Sequence, residues 1–196
     1  MGKLQLNCHP STPCPSVRRL EAAALMQADG TLALSFMLEG DIARLRIAQP
    51  GAPRRADCLW QHSCFETFVR VGDESAYLEF NFAASGAWAA YCFHDYRQGA
   101  TVVEGEPVSA PRVSSSADRI ELETRVRLDA LASVPRSLLR VGLSAVLEDD
   151  SGVLSYWALK HPPGKPDFHH ADAFTLILDP LSSPLPLGGS TGKNVR

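Results

Sequence analysis

The chain has 196 residues, of which 45% are hydrophobic and 21% charged, and a globular domain of this size builds its core without disulfides or metals. Its 22 acidic and 19 basic residues give a formal net charge of −3 without basic blocks, which argues against a nucleic-acid partner. No apolar run reaches the roughly 18 to 20 residues that cross a bilayer, which argues against a membrane partner.

The N-terminus and the cysteines bear on cellular location. Residues 1–7 lack the apolar core and cleavage site of a signal peptide, so we expect a cytoplasmic protein. The cysteines are odd in number and have no CxxC spacing, which predicts free thiols; Cys64 and Cys92 lie in apolar runs and are expected to behave as small buried hydrophobes. The cysteines are Cys8, Cys14, Cys58, Cys64 and Cys92.

Short strands separated by turns are predicted in the first half of the chain. Asp29-Gly30 lies between the apolar runs 17–27 and 31–38 and indicates a hairpin, because both turn residues tolerate positive φ. Residues 43–47 alternate like a strand, whereas the prolines of 50–55 predict a loop. Three further runs predict an antiparallel meander: 65–71, 77–82 and 87–93.

The second half continues the pattern. Arg119 to Leu128 alternates apolar and charged residues, which predicts a strand with one wet face. A second hairpin is expected from 139–147 and 154–159, a short helical turn within 128–135, and a last strand at 174–178. Ten to twelve such strands without an amphipathic helix predict an all-β fold, either a β-sandwich or a β-barrel. We expect one domain over residues 1–180 and a disordered tail over 181–196.

Aromatic and histidine residues concentrate in two windows, 60–96 and 156–170. Aromatic faces stack on sugar rings or porphyrins, so this composition favours a ligand pocket, although any single ring could simply belong to the core. Strand periodicity places Trp88 and His94 on one face. It places Tyr77, Glu79 and Asn81 together on the outward face of their strand, as solvated sheet or as a polar binding face. Glu66 interrupts an apolar run and needs a partner or a ligand.

The segment 160–172 combines three prolines with histidines and carboxylates. A metal site is a weak hypothesis, because the spacing matches no zinc signature; its candidates are His161, His169, His170 and Asp172. No nucleophile or metalloprotease motif appears, so we expect no catalytic residue. Glu66 and Glu79 could serve a glycosidase, but the sequence does not fix their separation.

Several segments carry a resemblance to a known family: residues 59–68, 77–82, 85–91, 155–159 and 161–169. They resemble DOMON-like domains, which are related to family 9 carbohydrate-binding modules, and the chain from 17 to 178 is similar to a group of bacterial DOMON-like proteins. The resemblance implies a two-sheet antiparallel β-sandwich of the jelly-roll type, which binds sugars or, in cytochrome-like members, haem. For a sugar it implies Trp60 and Trp157 as stacking walls and Glu66 as a hydroxyl acceptor. For haem it implies His62, His94, Lys160 or His161 as axial ligands.

The chain departs from the carbohydrate modules at His62-Ser63-Cys64, where those modules tend to carry Asp-Asp-Ser, so its polar contacts must differ. We predict a non-catalytic domain whose partner is a small sugar-like molecule, with haem binding as the alternative and no cofactor required. A His/Asp metal-dependent enzyme and a purely structural or protein-interaction domain stay open, and the sequence does not indicate the oligomeric state. The predicted ligand-binding residues are Trp60, His62, Glu66, Glu79, Asn81, Trp88, His94, Trp157, Lys160, His161 and His169.

Overall fold

The computed structural model describes residues 2–129, 131 and 138–179, and it shows two β-sheets packed face to face. All strand pairs are antiparallel except one two-residue pair at an edge. The predicted all-β sandwich is therefore confirmed. Across the described ranges, no helix is long and apolar enough to span a membrane.

One sheet has five strands, in the order β1-β3-β4-β11-β10. These strands are β1 (Leu4–Gln5), β3 (Val17–Met26), β4 (Thr31–Gly40), β10 (Arg112–Ser115) and β11 (Arg119–Arg127). The predicted hairpin is β3 and β4, and Gly30 takes a φ of +82° in its turn, a conformation that favours glycine.

The other sheet has nine strands, in the order β2-β13-β12-β6-β7-β8-β5, with β14 on β12 and β9 on β8. Its strands are β2 (Asn7–Cys8), β5 (Arg54–Arg55), β6 (Cys64–Val71), β7 (Tyr77–Phe82), β8 (Ala87–Phe93), β9 (Thr101–Val102), β12 (Leu139–Glu148), β13 (Leu154–Ala158) and β14 (Leu176–Leu178). Strands β6, β7 and β8 form the predicted meander, and β12 and β13 form the second hairpin.

The main core lies between the sheets, where alternate residues of each strand meet. The rings of Phe36 on β4 and Phe65 on β6 stand 5.2 Å apart across it. In β11, Ile120, Leu122, Thr124 and Val126 are buried, while Glu121, Glu123 and Arg125 between them are exposed or half-buried. The predicted strand with one wet face is therefore confirmed for β11.

A second apolar cluster covers the outer face of the nine-stranded sheet. Phe68 of β6 packs there against Phe168 and Phe174, which belong to residues 161–175, called here the 161–175 loop. Strand β7 is consequently buried on both faces along its whole length. The interpretation of Tyr77, Glu79 and Asn81 as a solvated sheet face is wrong, because all three residues are buried.

Two local predictions need correction. Residues 43–47 do not form a strand, since Ile42–Arg44 makes a 3-10 turn and Leu45 makes an isolated bridge to Asp149. The predicted loop 50–55 ends in strand β5, which pairs parallel to β8 at the sheet edge, where prolines just before it cost no ladder bond. The helical turn predicted within 128–135 lies mostly outside the described residues, and the disordered tail predicted over 181–196 lies wholly outside them.

Candidate binding site

A cleft of about 670 Å³ opens on the outer face of the nine-stranded sheet. Residues 56–62, called here the 56–62 segment, contribute Trp60 to its lining, and the 161–175 loop contributes Lys165 to His169. Strands β6, β7 and β8 form the floor, because their outward side chains lie between the 56–62 segment and the 161–175 loop. A groove of about 630 Å³ on the outer face of the other sheet is lined largely by small residues and exposed charges.

Aromatic side chains form the walls of the cleft. Trp60 is 50% exposed, although Trp88 and Trp157 are buried at 3% and 6% exposure. Tyr91 of β8 and Tyr156 of β13 line the cleft because strand alternation turns them away from the core. Further apolar lining comes from Phe93, Val146, Leu154 and Phe168.

Trp60 sits in the 3-10 turn Leu59–Gln61, which lies against β6, β7 and β8. Two contacts hold the 56–62 segment in place. On one side the hydroxyl of Tyr91 donates to Oδ1 of Asp57 at 3.0 Å. On the other, Nδ1 of His62 lies 2.7 Å from Oε2 of Glu148. The exposed indole is therefore presented by an anchored turn.

Two buried carboxyl groups, Glu66 and Glu79, lie at the floor. Glu66 stands opposite Asn81 in the β6–β7 ladder, and Glu79 is two residues from Asn81, so the two glutamates are diagonal neighbours on one face. Oε1 of Glu79 accepts a 2.7 Å bond from Nδ2 of Asn81, whereas Oε1 of Glu66 is buried without a hydrogen-bond partner. Burial and then the neighbouring Glu79 raise the pKa of Glu66 well above its ordinary value. Burial also raises the pKa of Glu79.

His169 lies beside this floor in a hydrogen-bond chain. The hydroxyl oxygen of Tyr77 accepts from the backbone N–H of Arg97 at 3.1 Å and lies 2.8 Å from Nδ1 of His169. Nε2 of the same ring is 3.7 Å from Oε2 of Glu79. Burial lowers the pKa of His169 to about 4, so the ring is neutral at pH 7. Burial raises the pKa of Tyr77 to about 12.

Arg97 also lines the cleft, and its guanidinium is already paired. Its guanidinium donates to Oδ1 of Asp167 at 2.9 Å, and the hydroxyl of Tyr96 donates to Oδ2 of the same carboxylate at 2.6 Å. Burial raises the pKa of Asp167, but these two hydrogen bonds outweigh it and hold the pKa below its ordinary value. The pair joins the loop after β8 to the 161–175 loop across one end of the cleft.

Four of the eleven predicted ligand-binding residues line the cleft: Trp60, Glu66, Glu79 and His169. Asn81 lies buried beside them. The structure places Trp88 and Trp157 in the main core instead, because alternation turns both side chains inward. Trp88 lies 4.3 Å from the guanidinium of Arg55, and Nε1 of Trp157 donates to Ser155.

The other predicted residues lie elsewhere. His62 is bound to Glu148, and His94 is exposed beyond the end of β8. Nε2 of His161 lies 2.8 Å from the carbonyl of Asn7. Lys160 lies 4.0 Å from Asp172, whose backbone N–H donates to Nδ1 of His170. Throughout the described part of the chain, no three His, Cys, Asp or Glu side chains come together in a way that could hold a metal ion.

Sequence reasoning missed several residues of the cleft: Tyr91, Phe93, Arg97, Tyr156 and Phe168. A signal for two of them was present, because Tyr91 and Phe93 share a strand face that pairs with Tyr77 and Glu79 on β7. No comparable signal marks Arg97, which lies in a loop with a positive φ of 53°.

Solved structures share this fold. One is a candidate carbohydrate-binding protein of Bacteroides uniformis ATCC 8492, with a TM-score of 0.65, 13% identity and coverage of 88% of this chain and 83% of that one. Another is a family 9 carbohydrate-binding module of Caldicellulosiruptor kristjanssonii in complex with cellotriose, with a TM-score of 0.50, 12% identity and coverage of 82% and 75%. No protein-family model and no curated protein sequence matches the chain. The likeness therefore establishes a sandwich of the carbohydrate-binding-module type.

Proposed function

We propose that this protein is a non-catalytic binding domain that holds a sugar or a sugar derivative in the cleft. The observation that carries the proposal is the half-exposed indole of Trp60 in the same cleft as the buried carboxyl groups of Glu66 and Glu79. Sugar rings present apolar C–H faces that pack on aromatic rings, and their hydroxyls donate to carboxylate oxygens. The aromatic walls of the cleft therefore match the apolar faces of a sugar ring, and the carboxyl groups at its floor match the sugar hydroxyls.

The size of the cleft and the fold support the same proposal. Its volume of about 670 Å³ lies in the range of small-molecule sites. A family 9 carbohydrate-binding module with a similar fold binds cellotriose, so a sandwich of this kind can serve sugar recognition. Membership among the DOMON-like domains, suggested by the resemblance of residues 59–91, belongs to this proposal as well.

The floor favours binding over glycoside hydrolysis. Hydrolysis requires two carboxyl groups that flank the bond to be cleaved. Glu66 and Glu79 instead lie side by side on one face of one sheet, so a sugar above them meets both from the same side. The haem alternative has no comparable support, because His62, His94, Lys160 and His161 do not line the cleft.

Calorimetric titration with glucose, cellobiose, glucosamine and glucose 6-phosphate tests the proposal. We expect at least one of these sugars to bind, and Trp60→Ala to weaken that binding by about tenfold or more, because the stacking wall is removed. Ile177→Ala is the matched control, since it removes an equally exposed side chain from β14, outside the cleft. A Trp60→Ala variant with wild-type affinity, or a panel without any binding, would contradict the proposal.

A further inference from the structure

Glu66 at the floor of the cleft lies level with two other residues, on the adjacent strands, whose buried polar atoms also have no hydrogen-bond partner. Glu66 on β6 stands opposite Asn81 on β7 and opposite Ser144 on β12. Oε1 of Glu66, Oδ1 of Asn81 and Oγ of Ser144 are all buried, and none has a hydrogen bond. Leaving such groups unpaired costs free energy, so the arrangement indicates a missing hydrogen-bond donor.

The charged groups around the floor also indicate a missing partner, because the buried acids have no cation to pair with in the part of the chain that the structure describes. Glu66 and Glu79 are buried acids, and Arg97 is already engaged by Asp167. His169 is neutral at pH 7, because burial lowers its pKa to about 4. Lys165 lines the cleft but its side chain is exposed. Among the described residues that line the cleft, no buried cation is therefore left to pair with these two acidic groups.

We propose that the cleft selects sugars that carry a protonated amine, with the ammonium bound at Glu66 and Glu79; this inference rests on the proposed sugar-binding function. An ammonium group offers three hydrogen-bond donors and no acceptor, which matches the unpaired oxygens of Glu66 and Asn81. Its bonds to carboxylates are charge-assisted, so it supplies the missing charge together with the missing donors.

A metal ion fits the same floor less well. Calcium takes six to eight oxygen ligands, and magnesium requires near-ideal octahedral geometry. Among the residues that the structure describes, no third His, Cys, Asp or Glu joins Glu66 and Glu79 in a metal-binding group. The aromatic walls at Trp60 and Phe168 also have no role for a bare ion, whereas they pack against the ring of an amino sugar.

A bound amine should also lower the raised pKa values of the acid pair. Burial raises the pKa of Glu66 and of Glu79, and a bound ammonium opposes this rise because it favours the ionised carboxylates. The titratable and charged groups that face this pair come from β6, β7, β8, β13 and the adjoining loops. They are Cys64, Tyr77, Tyr91, Arg97, Tyr156, Lys165, Asp167 and His169.

Calorimetry with three matched ligands tests the inference. Glucosamine and N-acetylglucosamine share a ring, but acetylation removes the charge, and glucose lacks the nitrogen. We expect glucosamine to bind about tenfold or more tighter than either neutral sugar, as one charge-assisted contact predicts.

The Glu66→Gln variant should bring the ratio of glucosamine to N-acetylglucosamine affinity close to one. Glu21→Gln, a buried glutamate paired with Arg19 on the other sheet, should keep the wild-type ratio. Thermal unfolding of both variants checks that they are folded. The ratio of glucosamine to N-acetylglucosamine affinity in the wild-type protein tests the inference even if a variant does not fold.

Equal affinity for the charged and neutral sugars would overturn the amine inference and leave the sugar proposal standing. Absence of binding by every sugar would overturn the proposed function itself. Calcium binding that Glu66→Gln abolishes, without any preference for glucosamine, would also overturn the amine inference.

Discussion

The outer faces of the two sheets differ in how they meet solvent. On the five-stranded sheet, β11 exposes charged residues such as Glu123, which pairs with Arg112 at 3.1 Å on the open surface. On the nine-stranded sheet, the 161–175 loop and the 56–62 segment cover the corresponding face. Charged residues of the first face, such as Glu123 and Arg125, are exposed, whereas Glu66 and Asn81 on the second face are buried with unpaired atoms.

This difference shows how one antiparallel sandwich can place a site on a single face. A loop that carries apolar anchors such as Phe168 and Phe174 converts a wet sheet surface into a second small core. The cleft lies where this cover is incomplete, and the carboxyl groups at its floor retain their unusual pKa values because the cover excludes water. The pKa values of the carboxyl groups in the site therefore depend on the packing of the 161–175 loop.

Of the changes that test this difference between the two faces, Phe68→Ala is expected to have the largest effect on the free energy of unfolding. Phe68 is fully buried, and its ring contacts Phe168, Phe174 and His169, so its loss leaves a cavity beneath the loop. We expect the free energy of unfolding to fall by about 3 to 5 kcal/mol in urea denaturation. Glu123→Ala on the open face is the control and should change it by less than about 0.5 kcal/mol. Similar losses for both variants would mean that the two faces do not differ.

A smaller effect is expected from Glu66→Gln, and it depends on pH. Because the folded pKa of Glu66 lies above its ordinary value of 4.5, the folded protein holds a proton that the unfolded chain releases. The stability from this group is present below about pH 4.5 and is lost as the pH rises through the raised pKa. Urea denaturation from pH 5 to 9 should therefore show the variant gaining stability relative to wild type as the pH increases. Parallel profiles of the two proteins would contradict a buried acid at this position.

Most of the fold could be predicted from the sequence, because local signals control it. The alternation over Arg119 to Leu128 and the turn at Gly30 depend only on neighbouring residues, and both are present in the structure. Strand β5 was missed because its pairing with β8 is a long-range contact between two short segments. The single-domain extent over residues 1–180 and the cytoplasmic location stay predictions.

The site was harder to predict than the fold. The family resemblance implied that Trp157 is a stacking wall, yet the adjacent Tyr156 is the residue that lines the cleft. A one-residue shift along a strand exchanges the two faces, and composition alone cannot fix that register. The outer face of the nine-stranded sheet is covered because Phe168 and Phe174 pack on it. This packing is a long-range contact, and no short-range sequence pattern predicts it.

A crystal structure of the protein grown with saturating glucosamine tests the central claim most directly. The account predicts the sugar ring in the cleft, packed against Trp60, with its amine within hydrogen-bond distance of Glu66 or Glu79. Sugar bound in the groove on the outer face of the five-stranded sheet, with the cleft empty, would contradict it.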